Sequence, residues 1–212
     1  MTESAISSVP ARPQTPSVTP PFVGAVTVFT GSASGSVPGF MKAAKQAATI
    51  LAQAGIKIVY GGGNTGLMGA VADAALAAGG TVHGITTVGL RGSEVAHQGL
   101  SALEVVQDMH ARKLRMASLG DAFVAFPGGA GTLEEFFEVW TWQQLGIHAK
   151  PVALLNVNGF WDGLLKAIDQ MIVAGFLRPE YRETLIVADT ADELLVKLSQ
   201  WLPAQAKWAQ AS

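Results

Sequence analysis

The chain has 212 residues, of which 49% are apolar and 14% charged, with a net charge of −2 and no cysteine. The length is enough to bury a core as one domain. The lack of cysteine excludes disulfides, a thiolate nucleophile and a Cys-ligated metal, and the slightly acidic balance argues against a broad basic face for nucleic acid.

Residues 1–22 carry Pro10, Pro13, Pro16, Pro20 and Pro21 among Ser, Thr and Ala, and read as a flexible leader. The leader has no apolar core of a secretory signal. No later stretch offers the roughly 18 apolar residues of a membrane span, and a cytoplasmic setting is expected. A folded domain is expected over residues 23–202 and a loose tail over 203–212, with Trp208 available to dock it.

From Ala25 onward, short β-branched runs alternate with helical patterns. Ala25–Phe29 predicts a strand that runs into Gly31-Ser-Ala-Ser-Gly35, and Phe40–Ala54 a helix. Ile56–Tyr60 predicts a strand that ends at Gly61-Gly-Gly-Asn-Thr-Gly66, and Leu67–Ala78 an Ala-rich helix. Strands are expected at Thr81–Thr86 and Leu103–Val106, with a polar loop between Arg91 and Gly99. Met109–Leu119 reads as a helix, Asp121–Phe126 as a strand, and a helix opens near Leu133. Pro151–Asn156 and Leu185–Ala188 are strands, and Phe160–Ala174 and Ala191–Trp201 helices. This alternation predicts a Rossmann-like, doubly wound α/β fold with a parallel sheet. Runs such as Val152–Leu155 are apolar throughout, as strands covered on both faces are.

In such sheets ligands sit at the carboxyl ends of strands. Three glycine-rich turns lie there, after Phe29, Tyr60 and Phe126. The third, Pro127-Gly-Gly-Ala-Gly-Thr-Leu-Glu-Glu135, is the most informative. Its glycines leave N–H groups uncovered, and a helix start adds further N–H groups and the positive end of a dipole. That is a cradle for phosphate, with two carboxylates a turn later. The bland alternative is a capping box, Thr132-x-x-Glu135. Thr190-x-x-Glu193 has the same spacing without a glycine loop and reads as a plain cap, so the glycines carry the weight. Leu133, Phe136, Phe137 and Trp140 form an apolar stripe, and Glu134, Glu135, Glu138 and Thr141 point away from it.

Gly61, Gly63 and Gly66 match the dinucleotide pattern G-x-G-x-x-G, but Thr81–Thr87 lacks the acid that would hold a ribose. Arg112, Lys113 and Arg115 form either a solvated helix face or, from their place at the carboxyl edge of the sheet, an anion site. Glu94 and His97 either line the site or are exposed. The four histidines show no metal-ligand spacing, so no metal or other cofactor is expected. Ser32, Ser34 and Ser36 lack a nucleophile elbow.

Pro127–Glu135 together with Met109-His-Ala-Arg-Lys113 resembles the signature of the LOG family, the cytokinin riboside 5′-monophosphate phosphoribohydrolases. The likeness extends through Gly61–Gly69 and Thr141–Pro151 and covers about residues 24–200. The resemblance implies a Rossmann-like fold, a homodimer or larger assembly, and hydrolysis of the N-glycosidic bond of adenosine 5′-monophosphates, often N6-prenylated. It implies Arg112 and Glu135 as catalytic. Substrate contacts would come from Glu94, Arg112, Lys113, Gly129, Ala130, Gly131, Thr132, Leu133, Glu134, Glu135 and Thr141. Relatives often carry the label lysine decarboxylase, but nothing in these residues supports pyridoxal phosphate chemistry. Two alternatives stay open: an AMP nucleosidase of general salvage, and a nonenzymatic carrier of a nucleotide or molybdenum cofactor.

Overall fold

The computed structural model describes residues 23–90 and 96–204. In chain order they form β1 (Ala25–Phe29), α1 (Pro38–Gln53), β2 (Lys57–Tyr60), α2 (Gly66–Ala77), β3 (Val82–Thr87), β4 (Ala102–Val106), α3 (Met109–Leu119) and β5 (Ala122–Ala125). There follow α4 (Ala130–Gln144), β6 (Val152–Leu155), a 3₁₀ turn (Val157–Gly159), α5 (Asp162–Val173), α6 (Pro179–Glu183), β7 (Ile186–Ala188) and α7 (Ala191–Gln200). The strands make one sheet in the order β4-β3-β2-β1-β5-β6-β7, every pairing parallel.

Both faces are covered, as the apolar strands require. On one face Val124 and its neighbours Val28, Ile58 and Leu155 pack against α1, α2 and α7, whose alanines (Ala44, Ala48, Ala72, Ala75) let the helices approach closely. On the other, Phe123 and Leu154 pack against Met116 of α3, Phe136 and Trp140 of α4, and Ile168 of α5. Phe136 and Trp140 are fully buried, and truncating either to Ala would cost about 3–5 kcal/mol.

Two elements were not anticipated. Asn158 takes a left-handed conformation (φ 53°) in the 3₁₀ turn, which delays the predicted Phe160 helix to Asp162. The Asn156 amide fixes this bend, accepting from Trp161 N–H at 2.6 Å and donating to Asp162 at 2.9 Å. Helix α6, with Pro179 in its first turn, is too short to show periodicity. Among the described residues no helix is long and apolar enough to cross a membrane. The predicted leader and the end of the tail, Trp208 included, lie outside the described residues.

The sheet order sets the site. β1 pairs with β2 on one side and β5 on the other, and the chain leaves β1 towards α1 on one face and β5 towards α4 on the opposite face. The loops after these two strands therefore part, leaving a crevice at their carboxyl ends, the usual ligand position in such sheets.

Candidate active site

The two loops are stitched at their base. Gly31 N–H and the Thr30 hydroxyl both donate to the Pro127 carbonyl, each at 3.1 Å. Beyond that point α4 begins at Ala130, with Gly129 as its N-cap and no side chain capping the turn. The helix starts three residues earlier than the sequence suggested, so Thr132 lies inside it. The capping-box alternative fails on that geometry, whereas the second T-x-x-E is a true cap: Glu193 N–H donates to the Thr190 hydroxyl at 3.2 Å, and Glu193 accepts from Asp189 N–H at 2.8 Å.

The glycines of the loop have different causes. A Cβ at Gly128 would lie 2.0 Å from the Thr132 hydroxyl, so this glycine makes room for a buried threonine. A Cβ at Gly129 or Gly131 would meet nothing within 4 Å, and neither has a positive φ. Packing and backbone conformation leave these two positions free, and both are exposed. With Ala130 they present uncapped N–H groups at the positive end of a fifteen-residue helix.

Helix α3 brings a cation to the same place. Its N-cap, Asp108, accepts from Ala111 N–H at 2.8 Å, and one turn later Arg112 is only 7% exposed. Arg112 Nε donates to the Ile85 carbonyl at 2.9 Å, Nη2 to the Gly61 carbonyl at 3.3 Å, and Nη1 to Glu135 Oε1 at 3.4 Å. The guanidinium is thus held by the ends of β2 and β3 and turns one edge toward Glu135. The Glu135 side chain is only 13% exposed and lines the cleft, a placement that helical phase permitted without requiring. Burial pushes its pKa up to about 7 against the opposing pull of Arg112. A carboxyl so placed exchanges a proton near neutrality.

The basic cluster of α3 separates into three roles. Arg112 enters the crevice. Lys113 bridges to Glu134 and, at 3.1 Å, to Glu138 of α4; burial alone would lower its pKa, but these carboxylates raise it on balance. Arg115 pairs with Glu104 of β4 at 2.7 Å.

Arg112, Gly129, Ala130, Gly131, Thr132 and Glu135 all line one cleft of about 380 Å³. Leu133, exposed Glu134, Lys113 and exposed Thr141 do not line it, and Glu94 lies outside the described residues. His97 is neither exposed nor in the cleft wall: it is buried, its Nε2 paired with Asp73 at 3.0 Å and its Nδ1 accepting from Gly99 N–H at 3.1 Å. Gly31 and Ser32, from the glycine-rich turn after Phe29, also line it, and Thr30, Met68, Leu90 and Met109, which sequence reasoning missed, complete the wall. The last three are apolar side chains from separate elements and share no spacing that a sequence pattern could reveal. Among the described residues no group of His, Asp and Glu is arranged to hold a metal ion.

A protein-family model described as possible lysine decarboxylase matches residues 68–198. The chain is 46% identical over 178 residues to a probable cytokinin riboside 5′-monophosphate phosphoribohydrolase of Oryza sativa subsp. japonica, spanning 84% of this chain and 72% of the relative. It is 43% identical over 184 residues to a cytokinin riboside 5′-monophosphate phosphoribohydrolase of Arabidopsis thaliana, spanning 87% and 86%. The chain belongs to the LOG family. The fold is also that of a molybdenum cofactor binding protein from Rippkaea orientalis (TM-score 0.60, 21% identity, 85% of this chain and 95% of that one). A Moco carrier protein from Chlamydomonas reinhardtii has it too (TM-score 0.62, 20% identity, 83% and 95%). These identities speak to the fold alone. As for the decarboxylase description, no lysine lines the cleft of this LOG-family chain among the described residues. Its buried cation is a guanidinium, which forms no Schiff base.

Proposed function

We propose that the chain hydrolyses the N-glycosidic bond of adenosine 5′-monophosphates, giving the free base and ribose 5-phosphate. The observation that carries this reading is the uncapped α4 N-terminus at Gly129–Gly131 with Glu135 a turn along and Arg112 against it. The amides and Thr132 hold the 5′-phosphate. Binding energy from that remote anion then orients the ribose over the carboxylate. As the bond to the base lengthens, positive charge grows on the ribose ring, and ionised Glu135 stabilises it. Water adds to the anomeric carbon and passes its proton to Glu135. The bonding electron pair leaves with the base nitrogen, which takes up a proton. Arg112 keeps Glu135 in place and lowers its pKa from what burial alone would impose.

The relatives' names favour cytokinin nucleotides, and Met68, Leu90 and Met109 offer an apolar wall suited to an N6-prenyl group. AMP nucleosidase activity is the neighbouring reading, and kcat/KM for N6-isopentenyl-AMP against AMP separates them. The carrier alternative is disfavoured by the buried Arg112–Glu135 pair, because binding a cofactor without cleavage needs no such acid.

The test is chromatography of base release from AMP, N6-isopentenyl-AMP and adenosine. Wild type is expected to release base from the nucleotides and poorly from adenosine. Glu135→Gln should lose about 10²-fold or more in turnover with substrate binding largely kept. Wild-type rates in a folded Glu135→Gln protein would overturn the reading. A homodimer is proposed as the working form, supported by the apolar residues exposed on α3, β4 and the end of α4: Leu114, Val105, Leu145 and Ile147. A cytoplasmic setting accords with a nucleotide substrate and a chain without cysteine.

A further inference from the structure

The segment Gly61-Gly-Gly-Asn-Thr-Gly66 looks like a nucleotide turn, yet its glycines answer to different demands. Gly62 and Gly66 have positive φ, 78° and 58°, a conformation that other residues adopt at a cost. Gly61 does not. Its backbone suits any residue, and what forbids a side chain there is one neighbour. A Cβ at Gly61 would lie 2.0 Å from Arg112 Nη2 and 3.2 Å from Cζ, with the next atom, Met68 Sδ, at 3.7 Å. The same residue's carbonyl accepts the Nη2 hydrogen bond at 3.3 Å. Gly61 thus leaves the space the guanidinium occupies and holds it there.

We propose that Gly61 is a positioning residue for the reaction: its missing side chain admits the Arg112 guanidinium between the ends of β2 and β3, from where Arg112 reaches Glu135. This rests on the hydrolase reading for its catalytic consequence, though not for its geometry. The atom in the way of a methyl group is the far end of a long side chain, so the fold accommodates Gly61→Ala by moving Arg112 rather than by parting the sheet. Moving it breaks the bonds to Gly61 and Ile85 and withdraws the charge from Glu135. The charged groups that remain facing Glu135 are Lys113 from α3 and Glu134 and Glu138 from α4. With Arg112 gone, burial and the two acids dominate.

The test is a double-mutant cycle of Gly61→Ala and Arg112→Lys, with base release and the titration of the Glu135 carboxyl, followed by ¹³C NMR, as readouts. Lysine ends near the position of Cζ, 3.2 Å from the added methyl in place of 2.0 Å, a contact its flexible end relieves by shifting a few tenths of an ångström. Gly61→Ala in the wild-type background should cost about 10²-fold in kcat/KM, the scale of an ångström-sized misplacement. In the Arg112→Lys background it should cost less than about 3-fold, because residues that act as a unit are non-additive. The Glu135 midpoint should rise in Gly61→Ala while the melting temperature stays near wild type. Additive losses, or an unmoved Glu135 midpoint in a folded Gly61→Ala protein, would overturn the proposal. If wild type releases no base, the hydrolase reading fails by itself, and the NMR titration still decides whether Gly61 places Arg112 against Glu135.

Discussion

Glu135 is a residue whose environment works against folding. A carboxyl with an ordinary pKa of 4.5 is brought to about 7 by burial, so the folded state holds its proton more tightly than the unfolded one. Stability therefore falls as pH rises from about 4.5 to 7 and levels off above that, a cost of about 3 kcal/mol over the full span. Glu135→Gln removes this slope. Relative to wild type, the variant should gain about 2 kcal/mol between pH 5 and pH 8, read from denaturant melts at the two values; a constant difference would mean that Glu135 titrates normally. The same group predicts an activity profile that rises with pH through about 7, since the ionised carboxylate stabilises the developing charge. Sequence alone pointed to Arg112 and Glu135 as partners through a resemblance. It did not show that one is buried by the ends of two strands and the other desolvated beneath it, because the contacting carbonyls of Gly61 and Ile85 lie 51 and 27 residues from Arg112.

At the scale of elements, two helix ends are treated in opposite ways. The start of α4 is open, and its glycines at 129 and 131 are free of packing demands. Gly131→Ala should leave stability unchanged or raise it by up to about 1 kcal/mol, since alanine is the better helix former. It should also raise KM for the phosphorylated substrate by covering an amide. A thermal melt with nucleotide titration checks both, and unchanged affinity would take the phosphate away from this loop. The end of α3 is closed by Lys150, whose ammonium donates to the Ala117 and Gly120 carbonyls, each at 2.7 Å. Lys150→Met should cost about 1–2 kcal/mol through those orphaned carbonyls, as measured by chemical denaturation. Strand and helix identities were readable wherever apolar period and length were clear, as in Val152–Leu155 and in the last helix, which buries Ala191, Leu194 and Leu198. The boundary of α4 was misplaced because an uncapped, glycine-rich start carries none of the residues that normally announce one.

Across the whole molecule, the sheet order brings together loops that are about 100 residues apart in sequence and splits them at the β1–β5 junction. Helices α3 and α4 cover the same face of the sheet and β4 is its edge strand, and Leu114 of α3 is 63% exposed. Leu114→Glu should shift the sedimentation of the protein toward the monomer, whereas a monomeric wild type would dispose of the proposed dimer. The sequence by itself determined the alternation of strands and helices, the burial of the sheet on both faces and the glycine-rich opening of the Pro127–Glu135 segment, because these depend on neighbours within a few residues. Only the tertiary structure decided which glycine serves Arg112, which acid is desolvated and which apolar side chains wall the cleft. Those outcomes depend on distances between segments remote in sequence, and no local pattern encodes them.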